Sequence, residues 1–483
     1  MQKITPGSSH PLYGVAQTRQ IELLAATGLP ANALMQRAGL GVARLALAIA
    51  PHAHRIWIAC GSGNNGGDGL ECALHLHLWG KQPVVTWLGH PAKAPMDTAV
   101  AYQRLLAAGV AIEPQASGNF DLCIDALLGI GTQAREPEGL MANWMARLNA
   151  AKTLVLSVDI PSGLNADTGQ ATRMHVRASH TLSLLTLKPG LFTCQGRDAV
   201  GTLWHDDLRN NVSSFDDGQP QARLVAQPTM PVRLHASHKG TFGDVAVVGG
   251  AAGMTGAALL AASAALHAGA GRVFVGLLDG CALNVDTQQT ELMFRPLESL
   301  DFSAMTVVCG CGGGTAVQRV LPSVMVASKS VVFDADAINS IALDASLQSA
   351  LIARSARGAA TILTPHPLEA ARLLGLTAGQ IQNDRLSAAH ILCQRFGCTV
   401  VLKGSGTVIA APGQIPMINP TGNARLATAG SGDVLAGMIG ARLAAGMSAF
   451  DAACHAVYRH GERADNWPVN PSLTAGLLAR LSA

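Results

Sequence analysis

Residues Thr421–Gly437 read TGNARLATAGSGDVLAG, and the fold of the second half of the chain turns on them. A loop of small residues runs through Gly430-Ser431-Gly432-Asp433 into an apolar segment with helical spacing, Val434, Leu435, Met438 and Ile439. Glycines ahead of a helix let the backbone turn tightly and aim free amides at one point, the positive end of the helix dipole, where phosphate is favoured. An acid at that point is a poor phosphate ligand. Asp433 therefore reads either as an N-cap over a glycine turn or as a base that takes a proton from a hydroxyl held beside the phosphate.

A second loop, Lys403-Gly404-Ser405-Gly406-Thr407, tips the balance to the base. It gathers a cation, flexible amides and a hydroxyl, which suits a nucleotide phosphate. Alone it also fits a hairpin between strands, with Lys403 a solvated surface lysine. His366, in TPHPLEAARLL, reads as a capping histidine in a proline-flanked turn or as a neutral imidazole that orients a substrate ring.

Working outward, the 483 residues exceed one ordinary domain. Apolar residues make up 49% and charged residues 13%, which excludes a disordered chain. The net charge of +3 comes without a Lys/Arg run, so neither nucleic acid nor an anionic membrane is the expected partner. Ten cysteines without a CxxC pair, several in apolar runs (Cys60, Cys123, Cys309), read as reduced core thiols of a cytoplasmic protein. No secretory signal is expected in MQKITPGSSHPLYG. The apolar run that starts at Met254 is broken by His267, Gly269, Gly271 and Arg272, and reads as a buried helix followed by a strand.

The first half carries its own glycine loop. Arg55–Cys60 reads as a buried strand, GSGNNGGDG (Gly61–Gly69) as the loop, and Leu70–Leu78 as a helix. Further strands are expected at Pro83–Leu88, Asp121–Ala126, Thr153–Ile160, Leu182–Leu187 and Val200–Trp204, with helices at about Thr98–Ala108 and Leu140–Ala150. Asp125 and then Gly129 and Gly131 follow one strand, Asp159 and Ser162 another. Three polar loops at successive strand ends describe one crevice at the carboxyl edge of a parallel sheet. Singly, each is an ordinary turn Asp or capping Ser. Oxygens of Asn65, Asp125 and Ser162 suit a hard cation, and one carboxylate favours a monovalent one. Turn chemistry at Gly218-Gln219-Pro220 places the domain boundary, giving units 1–217 and 218–483. In the second half, strands are expected at Gly243–Val248, Arg272–Leu277, Val307–Gly314, Ser330–Asp336, Ala360–Leu363 and Thr399–Lys403, alternating with helices.

GSGNNGGDG, DALLGIG and DIPSGLNADTG resemble the NAD(P)H-hydrate epimerase domain. HKGTFG, TPHPLEAARLL, KGSGT and the opening stretch resemble the ADP-dependent NAD(P)H-hydrate dehydratases, relatives of the ribokinase-like kinases. The ordered set covers almost the whole chain and resembles the bifunctional repair family. It implies an α/β fold of two domains, a Rossmann-like three-layer unit and a ribokinase-like unit. It implies epimerisation of R and S hydrates of NADH or NADPH, and ADP-driven dehydration of the S form with release of AMP and phosphate. By motif, Asn64, Asn65, Gly66, Gly67 and Asp68, with Gly129, Ile130, Gly131, Thr132, Gln133, Ala134 and Arg135, would hold the hydrate. Asn65, Asp125 and Ser162 would hold K+, and Asp159 would act on the ring. Ala257, Gly312 and His366 would line the second hydrate site. Lys403, Gly404, Ser405, Gly406, Thr407 and Gly432 would hold ADP with Mg2+, beside the base Asp433. A homo-oligomer in the cytoplasm is implied as well.

The chain departs from the pattern at Gln36, Leu368, Ala424-Arg425, Ser431 and in CGCGGG, where a GPGLG-like loop is usual. None of these removes a candidate catalytic group; Arg425, beside the phosphate loop, bears on nucleotide preference. Two other readings stay open on the residues alone. One is a vitamin or sugar kinase using the same Asp433. The other is a non-catalytic N-terminal binding scaffold, against which the intact NNGGD segment and Asp159 speak.

Overall fold

The computed structural model describes residues 1–131, 136–210, 219–229, 234–278 and 283–480. The chain forms two compact units, residues 1–5 with 10–222, and residues 6–9 with 223–483. Both are α/β, as the alternation of apolar runs and helical segments requires.

In the first unit a seven-stranded sheet runs in the order Gln2–Lys3, Thr202–Asp206, His180–Leu184, Leu154–Val158, Leu122–Ala126, Arg55–Cys60 and Gln82–Trp87. All neighbours are parallel except the first pair. Parallel strands are covered on both faces, which is why Ile56–Cys60 is apolar and buried throughout. One core gathers Ile56, Ile58, Leu70, Ile124 and Leu156; the other, across the sheet, gathers Trp57, Cys123, Trp144 and Val155. The parallel strands deliver Cys60, Ala126 and Val158 to the same edge.

One expectation fails here. The helix after the first strand spans Asn64–Leu78, so the NNGGD segment is its opening turn and not a loop. The glycines serve packing: a Cβ on Gly66 would lie 2.0 Å from the Gly61 carbonyl oxygen, and one on Gly69 would lie 2.7 Å from Ala126 Cβ. The helix is drawn onto the strand that precedes it, and the glycines that looked like a flexible loop are what allow that approach.

In the second unit the sheet order is Met293–Phe294, Arg272–Leu277, Asp244–Gly249, Thr306–Cys309, Ser330–Phe333, Ala360–Leu363 and Thr399–Leu402, all parallel, then Val408–Ala410 antiparallel. The helices Thr255–His267 and Ser431–Ala444 cover one face, pressed together at Gly437, where a Cβ would stand 2.0 Å from the Ala261 carbonyl oxygen. The run from Met254 is accordingly a helix and a strand, and among the described residues no helix is long and apolar enough to cross a membrane. The strand expected over Ser330–Asp336 ends at Phe333; Asp334 stands at the N-cap position of the next helix, Ala335–Leu343, with no side-chain cap bond, and Asp336 lies in its first turn. The strand in Val307–Gly314 runs into glycines as expected: it spans Thr306–Cys309, and Gly310 and Gly312 adopt positive φ and turn the chain.

Candidate active sites

In the first unit a cavity of about 880 Å³ lies at the carboxyl edge of the sheet. Asn64, Asn65, Asp68, Gly129, Ile130, Gly131 and Asp159 line it. Gly66 and Gly67 do not; they face Gly61 and Met35 and hold the helix in place. Thr132, Gln133, Ala134 and Arg135 fall outside the described residues.

Asp159 is buried and holds φ at 64°, a left-handed conformation that costs a non-glycine residue roughly 1–2 kcal/mol. The sequence alone does not single out what fixes it. Lys188, wholly enclosed, donates to Asp159 Oδ1 and also to Ser183 Oγ at 3.3 Å and the Leu184 carbonyl at 2.8 Å, using all three of its protons. Leu184 N–H adds 3.1 Å to the same carboxylate oxygen. The available signal was a lysine inside the apolar segment LLTLKPG. Burial, and then the Asp159 charge, push the Asp68 carboxyl well above its ordinary range, and burial followed by the same charge raises that of Glu22, which also lines the cavity.

Behind the Leu127–Leu128 wall, Asp125 is fully buried. Its Oδ2 accepts from Ser157 Oγ at 2.8 Å and Ser162 N–H at 2.9 Å; its Oδ1 accepts from Ser162 Oγ at 2.6 Å and Leu127 N–H at 3.3 Å. Burial raises its pKa, and these neutral donors offset only part of that. Asn65 closes the group beside Gly129, where a Cβ would stand 3.3 Å from Asn65 Oδ1, and its buried amide nitrogen has no partner among the described residues. An enclosed carboxylate met only by neutral donors, with an amide and a hydroxyl at hand, fits a monovalent cation.

In the second unit the helix Ser431–Ala444 begins after Gly430, whose φ is 89°, and no side chain caps it. Asp433 is thus not the cap. It stands in the first turn, next to amides that lack helical partners. Burial, and then the Asp334 charge, push its pKa up to about 6, which readies it to accept a proton near neutrality.

Lys403 is paired and largely covered, not a free surface lysine. Its Nζ lies 2.6 Å from Asp334 Oδ1, which also accepts from Thr364 Oγ1 at 2.7 Å. Burial works against the ammonium, but Asp334 and Glu369 more than offset it and leave its pKa above the ordinary value. The segment Lys403–Thr407 joins two antiparallel strands, so the hairpin reading of its shape is correct. Gly404, at φ 145°, leaves room for the Arg385 guanidinium, which would stand 2.6 Å from an added Cβ; nothing in the residue pattern marks buried Arg385 as the support of this loop. Thr407 Oγ1 donates to the Gly404 carbonyl at 3.2 Å, and Gly406 turns at φ 66°. Gly432 faces Lys403, whose Nζ would be 3.3 Å from its Cβ.

His366 is the capping histidine: its Nδ1 accepts from Leu368 N–H at 3.1 Å and Glu369 N–H at 3.2 Å. Glu369 Oε1 lies 3.3 Å from its Nε2, and burial pushes the Glu369 carboxyl up to about 7. Gly312 and Ala257 meet, since a Cβ on Gly312 would stand 2.9 Å from Ala257 Cβ. Downstream, Asn423 and Gly422 are fastened to Asp465 at 2.8 and 2.7 Å, and Asn423 Oδ1 accepts from Arg425 N–H at 3.0 Å. The departure at Ala424-Arg425 therefore keeps a formed loop.

Two α/β units, one with a polar crevice at its sheet edge and one with a lysine and a carboxylate converging on a helix N-terminus, define an enzyme of the small-molecule α/β class. Residues 31–190 match the family described as YjeF-related protein N-terminus, and residues 245–482 match NAD(P)H-hydrate dehydratase. The chain is 36% identical over 484 residues to the bifunctional NAD(P)H-hydrate repair enzyme Nnr of Escherichia coli (strain K12), covering 96% of this chain and 91% of that protein. It is 34% identical to the enzyme of that name from Coxiella burnetii, covering 94% of each. The ADP-dependent (S)-NAD(P)H-hydrate dehydratase of Neisseria meningitidis is 46% identical over 266 residues, 54% of this chain and 88% of that one. A crystal structure of the ADP/ATP-dependent NAD(P)H-hydrate dehydratase from Bacillus subtilis is 29% identical, with TM-score 0.45, over 52% of this chain and 91% of that chain. The chain belongs to the family of bifunctional NAD(P)H-hydrate repair enzymes.

Proposed function

We propose that the chain restores hydrated nicotinamide dinucleotides, with residues 1–217 interconverting the R and S hydrates and residues 218–483 dehydrating the S form at the expense of ADP. The observation that carries the second activity is Asp433 in the first turn of a helix that no side chain caps, where burial pushes its pKa up to about 6. There it takes the proton of the ring hydroxyl while that oxygen attacks the β-phosphoryl group of ADP and AMP departs. The first-turn amides and Lys403 stabilise the charge on the transferred group. The ring nitrogen lone pair then expels phosphate, and loss of a proton from the adjacent ring carbon restores the double bond. No nucleophilic side chain is required. In this reading Ala257, Gly312 and His366 form the hydrate wall, and Lys403–Thr407 with Gly432 hold the nucleotide.

Mg2+ would neutralise the β-phosphoryl oxygens when bound. The nucleotide itself is its better ligand, because the buried ligand group nearby contains a thiol that a hard cation disfavours. In the first unit, K+ would sit among Asn65, Asp125 and Ser162 and supply a fixed positive charge. Asn64, Asp68 and Gly129–Gly131 would position the hydrate, and Asp159, held by Lys188, would carry the proton. A homo-oligomer in the cytoplasm completes the reading; the free thiols among the described residues support the reducing compartment.

The test mixes R and S NADHX with the protein, with and without ADP, and follows recovery of NADH absorbance. Consumption of both epimers with ADP is expected. An untouched S hydrate would overturn the reading.

A further inference from the structure

Cys311, Asp334 and Asp433 each offer a ligand atom within 4.8 Å of the other two. Asp334 divides its oxygens. Oδ1 is taken by Lys403 and Thr364, whereas Oδ2, on a carboxyl that is 2% exposed, meets only Cys311 Sγ, at 4.0 Å, among the described residues. Cys311 is wholly buried, with its Sγ within 4.8 Å of a carboxylate oxygen of each acid. Gly432 borders the group: an added Cβ there would be 3.3 Å from Lys403 Nζ and 4.0 Å from Asp334 Oδ2.

We propose that this group binds a divalent cation of the zinc class through the Cys311 thiolate, Asp334 Oδ2 and an Asp433 oxygen, and that occupancy switches the dehydratase half off. The off-switch rests on the reading of Asp433 as base; the binding does not. A thiolate selects zinc-like over magnesium-like ions. Tetrahedral zinc holds sulfur and oxygen ligands about 3.6 Å apart, from its usual bond lengths, so the 4.0 Å pair closes by a few tenths of an ångström. Charges also balance: two carboxylates, a thiolate and the Lys403 ammonium leave two negative charges for the ion. The thiol proton leaves to solvent as the metal binds. The fourth position is left for water.

Titration of the full chain with Co2+ should give a thiolate-to-metal charge-transfer band at one equivalent. Zn2+ should abolish it by displacement, Cys311→Ala should lose it, and Cys309→Ala should keep it. Zn2+ should also inhibit S-hydrate dehydration reversibly with chelator. Cys311→Ala, compared with its own metal-free rate, should need roughly tenfold more zinc or beyond. An absent band, a band unchanged in Cys311→Ala, or equal zinc sensitivity of the two proteins would overturn the site. A metal-free protein that never dehydrates the S hydrate would overturn the proposed activity instead, while the Co2+ titration still decides the site.

Discussion

Lys403 Nζ lies 2.6 Å from Asp334 Oδ1, and both belong to strand ends that the parallel sheet brings to one edge. The ammonium neutralises the acid nearest to Asp433 and thereby sets how readily Asp433 ionises. Lys403→Met leaves Asp334 charged and enclosed. The acidic limb of the dehydratase pH profile should move to higher pH, and stability to urea should fall by on the order of 3 kcal/mol.

Asp433→Asn removes the base and keeps the shape. ADP-dependent recovery of NADH should fall by about 10²–10⁴-fold, with epimerisation retained. In the native protein the rate should decline as pH drops through about 6, where Asp433 takes up a proton. Rates measured from pH 5 to 8 check this, and full activity at pH 5 would remove Asp433 from the role.

Asp125→Asn takes away the enclosed negative charge that a monovalent cation would balance. Epimerisation should drop and lose its dependence on K+ over Na+, while dehydration of pure S hydrate is unchanged. Rates in K+ and in Na+, each with separated epimers, give the comparison.

Lys188→Met strands Asp159 without its cation and leaves the acceptors Ser183 and Leu184 short of a donor. Epimerisation should be lost and the first unit should melt at lower temperature. Calorimetry, with R-to-S conversion assayed in parallel, separates this from an effect on dehydration, which should persist.

His455 is buried with neither ring nitrogen partnered among the described residues, and burial, with Arg442 and Arg459 near it, lowers its pKa to about 4. The unfolded chain binds that proton near 6.5, so between the two values the unfolded state holds more protons and stability falls as the solution is acidified. His455→Leu should flatten the dependence of urea stability on pH between about 6.5 and 4, by up to roughly 3 kcal/mol. An unchanged slope would show that His455 is charged in the folded state.

Much of the architecture was legible because it is local. Arg55–Cys60, Arg272–Leu277 and Ala360–Leu363 are short apolar runs between turn residues, and each is a strand over those limits. The two helix starts were less legible. Glycine reads as loop in a one-dimensional pattern, yet Gly66 and Gly432 lie in the first turns of their helices. The partners of the acids were not legible at all. Asp159 and Lys188 are 29 positions apart, and Asp334 and Lys403 are 69 apart.

The order of residues by itself determined where most strands form and that Asp125, Asp159 and Asp433 fall at or beside strand and helix ends rather than in the core of an element. Only the tertiary structure decided which cation meets which carboxylate, that Asp433 does not cap its helix, and that Cys311 shares its enclosure. Backbone periodicity is set by neighbours a few residues away. Desolvation and charge pairing depend on chains that return to the same point after long detours.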